Sequence, residues 1–416
     1  MPLAEGVSAR VVYKAYASGA MTSNAEPAPA TDPGASGGKI LRRVSSSLNL
    51  AKDTFESNEV RTDRQRADFR HGSRRAQGAI SGELSPATYF DFISAAHRDT
   101  PVGPISLSKT ELTSLSAAAS AGTLTFGGGD PVAAGLRVGD IIRVAGAAVA
   151  GNNGVNYLIT GFSGTSNRTV AVSPSPVDAA ADTGAWTLSR PGKSSIIPAT
   201  NFIKRKFALE IFHEDTVDSR LFTEMRVSGY RMSLPVNGMN TIDTNFMGRN
   251  MQLLEDAASP FFASPAAPTT TGVTAAVDGV LLLGGQRIGL LTSLDLTLDL
   301  NASVAAVRGQ KFPAEVFLGR ASVSGNGSAY FEDVSIVKAF ANEMELELLT
   351  SVFADSASAA DGLGIHLPRL KLTSADLGIQ GEGGQQVNFG FTALRYQGSK
   401  AGVENTTIRI HDTAAA

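Results

Sequence analysis

Three carboxylates, Glu343, Glu345 and Glu347, alternate with Met344, Leu346 and Leu348 in the segment ANEMELELLT. A strand turns alternate residues to opposite faces, so this spacing predicts one acidic face and one apolar face. Paired carboxylates can run glycoside hydrolysis or hold a divalent cation. Both uses need more than this segment offers, since no second carboxylate cluster and no aromatic sugar platform accompany it. The opposite charge gathers at 61–75, RTDRQRADFRHGSRR, where Arg61, Arg64, Arg66, Arg70, Arg74 and Arg75 stand against Asp63 and Asp68. Such a run is a nucleic-acid footprint in some proteins. The later stretch that runs in step with it, 308–322, is much less basic, so a contact element between subunits is the expectation. A solvated loop and a DNA contact are the alternatives.

The remaining inventory for chemistry is thin. Five histidines, His71, His97, His213, His366 and His411, lie far apart without metal-ligand spacing, and read as structural or surface residues. Cysteine is absent, which removes disulfides, thiolate metal sites and a thiol nucleophile. There is no GxSxG elbow and no phosphate-binding GxxxxGK[ST] loop; GGGD at 127–130 reads as a turn. No catalytic residue, cofactor site or metal site is assigned. The balance of 36 basic against 39 acidic residues argues against a globally basic nucleic-acid binder. Apolar runs stay short of the roughly 20 residues of a membrane span, and the N-terminus lacks a secretory h-region. Cytoplasmic synthesis and no membrane are therefore expected.

The elements that carry these residues repeat. Residues 72–93 run in step with 319–340 at an offset of 247, with Gly72 on Gly319, Gly78 on Gly325, Phe90 on Val337 and Ile93 on Phe340. Residues 226–246 run in step with 371–391 at an offset of 145, with Val227 on Leu372, Met232 on Leu377, Leu234 on Ile379, Gly238 on Gly383 and Phe246 on Phe391. Shared glycine and apolar positions at low identity indicate two copies of one β-rich unit. The offsets differ by 102, so an inserted domain falls within the first copy. There GTLTF, LRVGDIIRVAG, VNYLITGF, TVAVSP and AWTLSR predict five short strands, a small barrel or sandwich with Trp186 in its core.

Each unit reads as a strand pair, a short helix, another strand and a closing hairpin. The strands are VSSSLNLAKD and SLDLTLDL, then KFALEIFHE and EMELELLTS. Ser85 as N-cap and Pro86 as first residue open the first helix, and the second spans about 333–342. The fold class is mainly β: duplicated β-sandwich or barrel units with one short helix each, plus an inserted all-β domain. The expected boundaries are an arm at 1–39, a first unit at 40–98 and 199–270, the insertion at 99–198, a second unit at 271–400 and a tail at 401–416. The arm, with AEPAPATDPGASGG, is expected to be held by a neighbouring subunit.

These segments resemble a known family. GLLTSLDLTLDL, GRASVSGNGSAYFED and HLPRLKLTSADLGIQGEGGQQVNFGFTAL are similar to the C-terminal half of tail tube proteins of long-tailed bacteriophages. GAISGELSPATYFDFISAA and LFTEMRVSGYRMSLPVNGMNTIDTNFMGR resemble the N-terminal half. The resemblance implies a structural virion protein and no enzyme. Its sheets would close into rings that stack as a hollow tail tube, the conduit for DNA ejection. Two units per chain imply a trimeric ring, favoured over a hexamer. The implied partners are further copies of the chain, a tape measure protein and genomic DNA in the lumen, and tail terminator and tail-tip proteins at the ends. Glu343, Glu345 and Glu347 would then line the lumen, and the insertion would decorate the exterior. The localisation implied is the virion tail, reached from the host cytoplasm. A carbohydrate-binding or adhesion module, or another virion part such as a terminator, is the alternative.

Overall fold

The computed structural model describes the chain apart from residues 1–4, 22–26, 67, 276–278, 284–285, 288–290, 332, 357–358 and 379–383. Two positions used to recognise the repeat, Ile379 and Gly383, lie outside the described residues.

In the first unit the strands are β1 (Ala9–Ala15), β2 (Asn49–Glu56) and β3 (Phe69–Glu83), then helix α1 (Phe90–His97), β4 (Phe207–His213), β5 (Asp218–Pro235), β6 (Thr241–Gly248) and β7 (Asn250–Glu255). The second unit holds β8 (Gly279–Leu283), β9 (Leu291–Asp299), β10 (Ser322–Tyr330), α2 (Ser335–Ala341), β11 (Leu346–Phe353), β12 (Gly362–Leu377), β13 (Gln386–Ala393) and β14 (Arg409–Asp412). All the ladders are antiparallel. The first runs β1-β4-β5-β6-β3-β2, with β7 beside the first half of β5. The second runs β8-β11-β12-β13-β10-β9, with β14 beside the first half of β12. The two units therefore share one topology, element for element.

Register repeats with topology. A bulge between Val227 and Gly229 in β5 recurs between Leu372 and Ser374 in β12, 145 positions on. Another, between Phe207 and Leu209 in β4, recurs between Leu346 and Leu348 in β11. The repeated glycine has a steric cause. A Cβ on Gly78 would lie 2.5 Å from the Ser47 carbonyl oxygen, and one on Gly325 would lie 2.3 Å from that of Asp295. Neighbouring backbone thus closes on the bare Cα in both units. Leu294, Leu296, Leu298 and Leu300 all point inward, none more than 3% exposed, as their alternation requires. They join Met232, Tyr230, Phe246, Phe389 and Phe391 in a core that runs through both units.

Helix α1 starts later than the Ser85 cap would set it. Ser85 bonds Thr88 through their hydroxyls at 2.7 Å, Ala87 takes a left-handed φ of 66°, and the helix begins at Phe90 without a side-chain cap. Residues 85–88 form a turn, because the local hydroxyl pair competes with helical capping. Once formed, α1 is sunk into the sheet. Phe92 packs among Tyr13, Phe207 and Phe246 with ring centroids 4.7, 5.1 and 5.1 Å away.

The insertion is an eight-stranded sheet between Ile105 and Arg190. All five strands read from sequence are present, joined by Ile105–Ser108, Leu115–Ala118 and Ala179–Asp182. Trp186, 1% exposed, packs on Phe126 and donates to the Asp182 carbonyl. The domain is fastened to the second unit. Val138, Ile141 and Leu158 pack with Leu349, and buried Asp140 pairs with Arg409 and Arg190. The Ile141 N–H donates to His411 Nδ1, and His411 Nε2 donates to the Pro191 carbonyl. These partners fix one neutral tautomer, and burial pushes the His411 pKa down to about 4. The segment 401–416 is woven in, since β14 lies between β12 and the returning strand Lys193–Ile196. The arm contributes β1, whose Val11, Val12 and Tyr13 are buried within the same chain.

Candidate functional site

The two units meet edge to edge. The second half of β5 pairs on its outer side with β9, from Gly229 opposite Asp299 to Pro235 opposite Ser293. One sheet thus passes from the first unit into the second. At the far ends the same two edges are free. Among the described residues β2 pairs only with β3, and beyond Leu370 β12 pairs only with β13. An unpaired edge presents a row of backbone donors and acceptors to any complementary strand.

Large apolar side chains gather at these open ends. Around β2 and β3 they are Val44, Phe55, Val60 and Phe69; around β12 and α2 they are Tyr330, Val334, Phe340, Met344 and Leu377. At the internal junction, by contrast, Met232 and Leu296 are 0% and 3% exposed.

Of the arginine run, Arg61, Arg64 and Arg66 lie in the loop between β2 and β3, and Arg70, Arg74 and Arg75 lie in β3, paired with β2. Arg61 pairs with Asp63, Arg66 with Glu56, Arg70 with Asp68 and Arg75 with Asp53. Arg64 takes a left-handed φ of 59° at an exposed position. Residues 58–66 are all exposed. Much of the positive charge is therefore balanced by neighbouring carboxylates, which weakens the footprint a polyanion would meet.

The acidic trio is arranged differently from its sequence pattern. Strand β11 begins at Leu346, and Glu343 lies in a turn with a φ of 50°, so only Glu347 belongs to the strand. The apparent alternation includes residues of the helix-to-strand turn, where a period of two has no meaning. Glu343 approaches Lys371 at 4.0 Å, Glu345 bonds Arg369, and Glu347 bonds His366 and Lys400, both at 2.7 Å. The Arg369 hydrogen bond holds the Glu345 carboxyl below its ordinary range. Burial pulls the Glu347 pKa up, but the His366 and Lys400 contacts outweigh it and leave the group below its ordinary value.

Sequence reasoning missed the buried ions that hold the junction together. Glu224, with a φ of 51° in β5, accepts from Lys206 at 2.5 Å and Arg249 at 2.7 Å. Arg226 donates to the Glu315 carboxylate and the Val316 carbonyl, and Arg249 donates to Pro313 and lies over the Phe312 ring at 4.7 Å. The segment between β9 and β10 is thereby clasped onto the first unit. The signal available was LFTEMRV, where charges interrupt an otherwise apolar run. Among the described residues no three His, Asp or Glu side chains gather as a metal site. No described helix is long and apolar enough to cross a membrane.

No curated protein matches the chain. A family model does, over residues 6–393, and its description is phage tail tube protein. That span takes in the first unit, the insertion, the junction and all of the second unit but β14, so the chain belongs to the phage tail tube protein family and is a structural component of a virion tail.

Proposed function

We propose that three copies of this chain close a ring of six tube units, and that stacked rings form the hollow conduit through which the genome leaves the virion. The observation that carries this reading is the pair of topologically identical units joined by the β5–β9 ladder, with the complementary edges β2 and β12 left open. A heterologous contact of this kind, repeated by rotation, generates a ring, and closure removes every exposed edge. A tape measure protein and DNA would occupy the lumen, terminator and tip proteins the two ends. Assembly would take place in the host cytoplasm.

Within this reading the arginine hairpin, with Arg61, Arg64, Arg66, Arg70, Arg74 and Arg75, is an inter-subunit contact. Its counterpart between β9 and β10 already makes such a contact inside the chain, through Glu315 and Pro313. Glu343, Glu345 and Glu347 are the acidic positions proposed for the bore; Glu343 and Glu345 are exposed, and Glu347 is half-buried against His366 and Lys400. The insertion lies on the outer side of the tube.

Negative-stain electron microscopy of the purified full chain at rising concentration tests the reading. Hollow rings and tubes are expected. A chain that stays monomeric at every concentration and binds glycans would replace this function with an adhesion role.

A further inference from the structure

Resting on the ring reading above, we infer that β12 of one copy adds to β2 of the next as an antiparallel strand in one defined register. Ser374 lies opposite Ala51, Ala375 opposite Leu50, Asp376 opposite Asn49, and Leu377 opposite Leu48.

The register comes from the internal duplication. Gln77 of β3 faces Asn49, and its equivalent 247 positions on, Ser324, faces Thr297, so β2 and β9 are related by a shift of 248. Strands β5 and β12 are related by 145, as their shared bulge shows. The internal junction places Gly229 opposite Asp299. Moving Gly229 forward by 145 gives Ser374, and moving Asp299 back by 248 gives Ala51. The same operation turns the buried pair Met232–Leu296 into Leu377–Leu48, and Tyr230–Leu298 into Ala375–Leu50. Apolar positions therefore meet apolar positions on one face. A slip of one residue would set Leu377 against Asn49 or Ser47 and turn the row inside out.

Two independent features agree. Leu377 is 38% exposed although its equivalent Met232 is fully buried, so the side chain lacks the neighbour that the junction supplies. The same shift that relates β3 to β10 carries Glu315 to Asp68 in the exposed hairpin, and Arg226 maps to Lys371 at the open end of β12. The junction's Arg226–Glu315 ion pair thus becomes Lys371–Asp68 between copies, with the sign of each charge kept.

Cysteine pairs test the register on a chain that has no cysteine of its own. Directly opposed residues in an antiparallel pair have Cα atoms about 4.5–5.5 Å apart, within disulfide reach, whereas diagonal neighbours lie at about 7–8 Å. Assembled protein carrying Asn49→Cys with Asp376→Cys should oxidise to covalently linked chains, ending at trimers on a non-reducing gel. Asn49→Cys with Gly378→Cys should give at least fivefold less. Ala51→Cys with Ser374→Cys serves as the second in-register pair if the first variant does not polymerise. Rings that form normally while neither in-register pair cross-links, or while the diagonal pair cross-links equally, would overturn the register and leave the ring reading standing. Failure of the unmodified chain to form rings would remove both.

Discussion

Helices α1 and α2 stand at the same place in two units of the same topology, yet seven of the eight residues of α1 are buried, against Ala339 alone in α2. The first unit is finished by its own chain. Strand β1 lays Tyr13 against Phe92, the leg returning from the insertion brings Ser195 to His97, and Arg205 reaches Ser94. The second unit keeps Val334, Phe340 and Met344 exposed beside an open strand. An ion pair marks the same contrast. Lys206 and Glu224 pair in the dry interior of the first unit, and the equivalent positions of the second, Glu345 and Arg369, carry the reversed pair in solvent. The helix surface that the arm and the leg returning from the insertion cover in the first unit is thus left open on the second, beside the unpaired half of β12.

The two units should differ most at the ion pair. Glu224→Ala strands Lys206 and Arg249 in the core and should cost about 3–5 kcal/mol in denaturant unfolding, as removal of one partner of a buried pair does. Arg369→Ala, at the equivalent exposed site, should leave the unfolding midpoint unchanged. Equal effects would deny that the two sites differ. Next comes the apolar row. Met232→Ala should lose about 2–5 kcal/mol through cavity formation. Leu377→Ala should leave monomer unfolding unaltered and raise the concentration at which polymer appears, read by light scattering.

The smallest effect is on acid stability. Burial pushes His97, bonded to Ser195 and Tyr230, down to about 3. The folded state therefore favours the neutral ring, and this contribution is full above the unfolded pKa of about 6.5 and is lost as pH falls towards 3. It amounts to about 2 kcal/mol between pH 7 and pH 5. Nearby Asp99, raised to about 6 by burial, works the other way, losing stability as pH rises from about 4 to 6. His97→Gln should thus shrink the drop in Tm between pH 7 and pH 5, and a drop at least as large as in the unmodified chain would refute the assignment.

Much of this architecture was legible because the units must satisfy the same local geometry twice. Gly78 and Gly325 recur since a neighbouring backbone leaves no room for a Cβ, and the leucines of β9 alternate because one face is dry. The five strands of the insertion were legible for the same reason. Boundaries set by competition between local bonds were not: Ser85 spends its hydroxyl on Thr88, and Glu343 and Glu345 precede β11. The ion clusters joining Glu224 to Arg249, and Asp140 to Arg409, escaped altogether, since nothing in a linear sequence pairs charges 25 or 269 positions apart. The reach of β14 into the sheet had a visible signal in the alternation of Ile408 and Ile410, both fully buried.

If the ring closes as proposed, the two units occupy interchangeable positions around it. A cryo-electron microscopy reconstruction of the assembled full chain tests it most directly. Three chains per ring are expected, with six β units continuous through alternating β5–β9 and β12–β2 ladders and the insertions on the outside in threefold array. Six chains per ring, or three chains joined through any other pair of strands, would contradict it.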